Sequence, residues 1–419
     1  MRETQKKPFY TMLVTIFFDM LGYGILIPVI PILLGDPTSA DFILPAGFTL
    51  KQGYIMLGIL LGVQPLMQFF SAPILGQLSD KYGRKKILFI SMLGTCLSYI
   101  LFAIAIMTKD INLLFASRIL DGITGGNISV ANAAVSDITP IKDRTKNYGM
   151  MGAAFGLGFI IGPFIGGQLS DPSVVSWFSA STPFWFAVIL TLINLALVVF
   201  IFPETNTNIN HRHEMTWFQS VGHIKKAFLI KNLRSLFSST FTYYAGFSFF
   251  TTFFTIFLIQ KLHFDQGDIG FFFAYVGIWL IFTQLVIVRF LLKDIPERFI
   301  LPLAMAAAGA GVFALLSVST TAMLLVVIPF FAIANGITLV NMTSLVSKSA
   351  TKDVQGEIFG ISASVQALAQ SVPPILSGFI AYMLNPDSPI FVSATFMIVA
   401  SIIFIAFYRR QKTVEEVFS

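Results

Sequence analysis

An acidic residue inside an apolar run is the first feature of this sequence that could do chemistry. Asp19 lies in the run that starts near Phe9. About ten residues of helix would carry it about 15 Å along the axis. If the run crosses a bilayer, Asp19 sits near the midplane, where a carboxylate costs at least about 2.5 kcal/mol. A carboxyl group that takes up and releases a proton is one use for such a position. A neutral side chain bonded to backbone is the plainer alternative. Tyr23 lies one turn further along the same face. A second candidate pair, Arg118 and Asp121, is one turn apart in another apolar run. Gly122, Gly125, Ser129, Asn132 and Ser136 continue from it at steps of three or four, so all share one helix face. A polar face on a membrane helix turns toward protein or water. Asp121 is as deep from its own end as Asp19, and is open to two readings, a second proton site or the counter-ion of Arg118.

Other chemistries lack their residues. There is no G-x-x-x-x-G-K-[ST] phosphate loop, no H-E-x-x-H and no G-x-S-x-G elbow. The expectation is therefore not an enzyme, with no cofactor and no metal. The one cysteine, Cys96, excludes an internal disulfide and a multi-cysteine metal site. Transport by such a chain would use an ion gradient or run downhill.

The elements that must position these residues follow from composition. The 419 residues are 55% hydrophobic and 11% charged, against about 25% charged in soluble domains. A spanning helix needs about 20 apolar residues, and the chain offers twelve such segments. They run at about 9–34, 52–75, 87–107, 111–136, 147–169, 183–202, 235–260, 268–291, 298–318, 321–346, 356–384 and 389–408. Of 27 Lys and Arg, only Lys51, Lys109 and Lys261 fall on one set of links, and Arg118 lies within a segment. The rest lie on the other set or at the segment ends beside it, which predicts that set, and both termini, to be cytoplasmic. The net charge of +6 is then a topology signal and not a nucleic-acid footprint.

A polar stretch from Pro203 to Asn232 separates two sets of six segments. Trp217, Phe218, Val221, Ile224 and Phe228 recur there at helical spacing, predicting an amphipathic helix on the inner membrane face. His211 and His213 have too little company for a metal site. The halves echo each other: Asp294 and Arg298 after segment 8 stand where Asp80 and Arg84 stand after segment 2. Such internal repeats are typical of secondary transporters. In the second half, Tyr243, Tyr244 and Phe250 of segment 7, Asn335 and Asn341 of segment 10 and Gln366 of segment 11 offer an aromatic wall with a few amides. That composition suits an amphipathic or aromatic ligand, although with 45 Phe in the chain many of its rings would be packing. Gln64, Asn127 and Asn132 of the first half join the candidate substrate contacts.

The link Gly76-Gln77-Leu78-Ser79-Asp80-Lys81-Tyr82-Gly83-Arg84-Lys85-Lys86 carries a family pattern. It resembles the loop between helices 2 and 3 of the major facilitator superfamily, G-x-L-[AS]-D-[RK]-x-G-R-[RK]. Segment 5 reads Gly152-x-x-x-Gly156-x-Gly158-x-x-x-Gly162-Pro163-x-x-Gly166-Gly167 and resembles the antiporter motif of exporters. Leu120-Asp121-Gly122-Ile123-Thr124-Gly125-Gly126-Asn127, with Asp19 and its surroundings, is similar to the tetracycline-exporter-like drug:proton antiporters. The resemblance implies an all-α membrane protein of twelve transmembrane helices in two pseudo-symmetric six-helix bundles. The divisions would be 1–202, a linker at 203–232, and 233–419, with a cavity between the bundles. It implies proton coupling at Asp19, Arg118 and Asp121. It also implies a gate in which Gly76 allows close packing, Asp80 caps helix 11 and Arg84 bonds Asp137. The expected partners are protons, a small-molecule substrate and the lipid bilayer. The expected setting is a monomer in a bacterial inner membrane, with no nucleic acid. A proton-coupled metabolite or siderophore carrier, exporting or importing, is the alternative on the same fold. A ligand-binding membrane sensor that transports nothing is a further one.

Overall fold

The computed structural model describes residues 3–139, 144–206, 219–229, 233–292, 294–349 and 355–408. These form α1 (Glu3–Gly35), α2 (Leu50–Tyr82), α3 (Arg84–Thr108), α4 (Ile111–Thr124), α5 (Asn127–Ile138), α6 (Arg144–Ser170) and α7 (Thr182–Phe200). After them come α8 (Gln219–Leu229), α9 (Arg234–Leu262) and α10 (Gln266–Phe282), which continues as a π-helix over Thr283–Leu291. The chain closes with α11 (Glu297–Leu316), α12 (Thr321–Lys348), α13 (Gln355–Met383) and α14 (Ser388–Phe407). Among the described residues, ten helices are long and apolar enough to span a membrane. The other two crossings are the α4–α5 pair and α13, the latter interrupted by Gln, Ser and Gly. The exterior is apolar: Phe200, Phe290, Leu303 and Ile405 are all exposed. Water does not favour such a surface, whereas lipid does. The chain is a multi-pass membrane protein.

Local sequence accounts for the ends. Thr49 and Gln52 form a capping box at the start of α2. Asp110 accepts the Asn112 and Leu113 amides at the start of α4, at 2.8 and 3.3 Å. Between α2 and α3 only Gly83 intervenes, at φ +97°, a conformation that favours glycine.

Segment 4, read from the sequence as one helix, is two. Gly125 and Gly126 adopt turn geometry, with ψ near zero, and separate α4 from α5. Neighbouring side chains take up the carbonyls at the break. Ser71 donates to Gly122 O at 2.7 Å, Gln68 to Gly125 O at 2.5 Å, and Ser91 to Thr124 O. A broken helix is tolerated at membrane depth when protein re-satisfies its backbone in this way.

The chain divides into two compact units. The first comprises Met1–Gly53, Val63–Gln219 and Phe264–Ala274. Its principal seam joins α1 to α6 through glycines. A Cβ on Gly158 would lie 2.5 Å from Phe17 O, one on Gly162 2.5 Å from Leu21 O, and one on Gly166 2.6 Å from Ile25 O. The close-packed stripe is therefore Gly158, Gly162 and Gly166. Gly152 and Gly156 differ from their expected role: a Cβ on either meets nothing within 4 Å. Gly167 packs instead on Gly270 of α10. Phe102 stacks on Phe184 at 4.2 Å between α3 and α7.

The second unit comprises Tyr54–Gly62, Ser220–His263 and Tyr275–Ser419. Gly246 meets α14 at Ser393 O, Gly309 meets α14 at Ile398, and Gly311 meets α12 at Phe331. The α2 portion of this unit packs on α13, where a Cβ on Gly58 would come 2.3 Å from Pro374 O and one on Gly378 2.5 Å from Tyr54 O. Of the expected linker helix, α8 carries Val221 and Ile224. Its His223 is hydrogen-bonded to Ser364 Oγ of α13 at 3.1 Å. His211, His213, Trp217 and Phe218 lie outside the described residues.

Candidate functional site

Asp19 stands near the middle of the α1 span Lys7–Gly35 and is partly buried. Its Oδ2 accepts a hydrogen bond from Asn127 Nδ2 at 2.8 Å. Asn127 is the first residue of α5, so the carboxyl group lies at the N-terminus of a half-helix, where aligned amide dipoles favour negative charge. The break at Gly125-Gly126 creates that terminus. On the α4 side of the break, Arg118 Nη1 and Asp121 Oδ2 form a buried ion pair at 2.9 Å. Arg118 Nε is buried without a hydrogen-bond partner among the described residues. Gln64 of α2 is buried and its amide lies beside Gly125. A Cβ on Gly122 would come 2.5 Å from Gln64 O, so this glycine sets the close approach of α4 to α2. Tyr23 is exposed and stacks on Phe159 at 6.2 Å, and Asn132 of α5 is exposed.

In the second unit the expected substrate contacts separate by exposure. Tyr243 is fully buried and its hydroxyl donates to Asn335 Oδ1 at 2.9 Å. Phe250 is buried in a stack with Phe254 at 4.4 Å and Phe331 at 4.7 Å. Asn341 donates to the backbone of its own helix at Ile337. Tyr244 and Gln366 are half-buried, and Gln366 donates to Ser362 Oγ at 3.1 Å.

The link between α2 and α3 converges on Arg84. Its Nε meets Asp137 Oδ2 at 3.0 Å, its Nη2 meets Asp80 Oδ1 at 2.6 Å, and its Nη1 donates to Ser79 Oγ at 2.6 Å. Asp80 is thus in the last turn of α2, paired with Arg84. Gly76 is not at a tight crossing, since a Cβ there would meet only Ser129 Oγ at 3.9 Å. The counterpart in the second unit is built differently. There Glu297 pairs with Lys348 and accepts from Ser344 Oγ at 2.9 Å, while Arg298 Nε is buried without a partner among the described residues.

Two residues beside these features were not singled out in the sequence. Glu204, just past α7, accepts the backbone N–H groups of Arg84 at 2.8 Å and Lys85 at 3.1 Å. It also accepts those of Thr205 at 3.0 Å and Asn206 at 2.9 Å. It caps α3, which has no side-chain cap of its own, and it lies where a Gly83 Cβ would be, 2.4 Å from that position. The available signal was Pro203-Glu204-Thr205, an acid opening a polar stretch after a spanning segment. The other is Tyr99 of α3, a buried tyrosine beside α1. Only its place inside an apolar segment could have flagged it.

The sequence model of the Major Facilitator Superfamily matches residues 12–374 and 236–419. The class H tetracycline resistance protein of Pasteurella multocida is 32% identical over 373 residues, 88% of this chain and 87% of that protein. Multidrug resistance protein 2 of Bacillus subtilis is 28% identical over 404 residues, 94% of each. Among solved structures, a D-xylose–proton symporter superposes with TM-score 0.76 at 16% identity, over 97% of this chain and 99% of that one. The human organic anion transporter MFSD10 (TETRAN) gives 0.71 at 19%, over 96% and 99%. The chain belongs to the Major Facilitator Superfamily, in its drug:proton antiporter group.

Proposed function

We propose that this protein is a proton-coupled antiporter that exports small amphipathic or aromatic compounds, drug-like or tetracycline-like, by alternating access. The observation that carries the reading is Asp19, an acid at mid-span held by Asn127 at the N-terminus of a half-helix. Discontinuous helices that aim their ends at charged groups characterise the sites of secondary transporters. The similarity to tetracycline and multidrug resistance proteins supports the substrate class.

In this mechanism Asp19 carries the exchanged proton, and Arg118 with Asp121 sets the charge around it. Protons enter from the outer side and the protonated carrier reorients inward. Substrate binding then displaces the proton to the cytoplasm. Tyr23 and Asn132 of the first unit, and Tyr244 and Gln366 of the second, are accessible enough to touch substrate, while Tyr243, Asn335 and Phe250 of the second unit are buried and support its own contacts. Gln64 and Asn127 of the first unit and Asn341 of the second are further polar contacts for substrate. Arg84, Asp80 and Asp137 hold the cytoplasmic side closed when the outer side is open, with Gly76 in the same link. The α6 motif of Gly152, Gly156, Gly162, Pro163, Gly166 and Gly167 supports export as the direction. The functional division follows 1–202 and 233–419 with the linker between. The protein acts as a monomer in the inner membrane with both termini cytoplasmic.

The test uses purified protein in liposomes with a pH dye inside and compounds added singly, tetracycline first. Proton movement on addition, lost in Asp19→Asn, is the expected result. Silence across a broad drug panel with folded protein would overturn the drug reading in favour of a dedicated metabolite or siderophore carrier.

A further inference from the structure

Where α3 begins and α7 ends, the two helices leave a cleft of about 330 Å³, lined by Lys85, Lys86, Phe89, Val198, Val199 and Glu204. All six residues belong to the first unit. Lys85 reaches from α3 across to α7, where its Nζ donates to Val199 O at 2.8 Å. Lys86 is exposed, with its ammonium 5.8 Å from the centre of the Tyr82 ring. A carbonyl and an aromatic ring orient these cations without cancelling their charge. Among the described residues neither lysine has an acidic ion-pair partner. Glu204 is the acid in the wall, and its oxygens are taken by the backbone amides of Arg84, Lys85, Thr205 and Asn206. From the cleft the apolar walls continue into the span. Phe89, Leu93 and Leu97 recur at steps of four on α3, Leu192 and Val199 lie seven apart on α7, and all five are exposed. Fixed cations therefore stand at the level where two helices leave the bilayer, with two apolar tracks running inward from them.

We propose that this cleft binds an anionic glycerophospholipid of the phosphatidylglycerol kind. The lipid phosphate lies between the Lys85 and Lys86 ammonium groups, and the acyl chains follow the exposed tracks of α3 and α7. Two lysines against one acid already committed to backbone leave the cleft net positive. The net charge of the lipid then decides between headgroups: phosphatidylglycerol keeps its negative charge, whereas the amine of phosphatidylethanolamine or phosphatidylcholine cancels it. A free phosphate ester would satisfy the lysines and leave Phe89 and Val199 uncovered, so the apolar walls select the lipid. The site adjoins Arg84, which holds Asp80 and Asp137, so the bound lipid braces the start of α3 beside that link.

The test titrates delipidated full-length protein in detergent with dioleoyl phosphatidylglycerol and counts bound lipid by native mass spectrometry. Phosphatidylglycerol should bind at least about tenfold more tightly than phosphatidylcholine or phosphatidylethanolamine with the same acyl chains. Lys85→Gln/Lys86→Gln should remove that preference. Lys225→Gln/Lys226→Gln on α8, an equal loss of charge, should keep it within about twofold. Equal binding of the three lipids overturns the proposal, and so does a preference that survives in Lys85→Gln/Lys86→Gln. A preference lost equally in both variants reports diffuse attraction to a positive protein and also overturns the site. Soluble glycerol 3-phosphate should not displace the lipid; displacement at equal concentration would overturn the lipid in favour of a free phosphate ester. A further variant leaves the lysines intact. Phe89→Trp puts an indole in the cleft wall, and phosphatidylglycerol brominated on its acyl chains should quench the added fluorescence at least about fivefold more strongly than brominated phosphatidylcholine at the same mole fraction. Equal quenching by the two overturns the proposal.

Discussion

Asp19 and Asn127 show how a single hydrogen bond can hold an acid inside an apolar helix. Asn127 presents its amide to the carboxyl group at 2.8 Å. A hydrogen bond to a charged group contributes about 1.5–3 kcal/mol net, and about 1.4 kcal/mol is a factor of ten. Asn127→Leu should therefore lower gradient-driven transport at least about tenfold, as measured in the same liposomes. If driven transport is unchanged, Asn127 does not serve Asp19. At the same scale, Glu204 collects four backbone amides. A carboxylate at a helix N-terminus contributes about 0.3–1 kcal/mol when exposed and up to about 2 when partly buried. Glu204→Ala should lower thermal stability by an amount in this range, measured by melting in detergent, and Glu204→Gln by less. Equal melting temperatures would remove Glu204 as a cap.

At the scale of elements, the glycines of α6 separate into two sets. Gly162→Val would drive side-chain carbon into Leu21 O and Gly24, and the helices would have to part. Overpacking of this kind costs about 1–3 kcal/mol or more, so folded yield should fall sharply on size-exclusion chromatography. Gly152→Ala meets open space and should leave yield unchanged or slightly raised. Similar yields from the two variants would contradict the seam. The α4–α5 break is a second device at this scale. Gly122 and Gly126 let α4 and α5 approach α2, and Gln68, Ser71 and Ser91 take the carbonyls at the break. Close approach and donor placement together hold a half-helix terminus next to Asp19.

At the scale of the whole molecule, charge sets orientation. Lys51, Lys109 and Lys261 are alone on their set of links, so the other set should be cytoplasmic. Cys96 is buried and gives a quiet background for labelling. In intact cells, an impermeant maleimide should label Lys109→Cys and not Lys225→Cys on α8. The reverse pattern would invert the topology. The spanning segments and this asymmetry were readable because lipid selects for length and hydropathy locally, segment by segment. The site was readable only in part. Asp19, Arg118 and Asp121 stood out because charge is rare in apolar runs. Tyr99 and Glu204 did not, because an aromatic residue in a membrane helix and an acid after one are both ordinary in isolation.

By itself the sequence determined the membrane class, the order of the spanning helices and the link that centres on Arg84. Each is a property of composition or short-range spacing, which lipid and helix periodicity read directly. Tertiary structure decided that segment 4 breaks at Gly125-Gly126, that Gly158, Gly162 and Gly166 form the seam while Gly152 and Gly156 do not, and that Asn127 belongs to Asp19. It also decided that Glu204 caps a helix 120 positions before it. These outcomes depend on which backbone faces which across distant stretches of chain. A glycine's spacing shows where an approach is permitted, and only the neighbouring helix determines whether it is used.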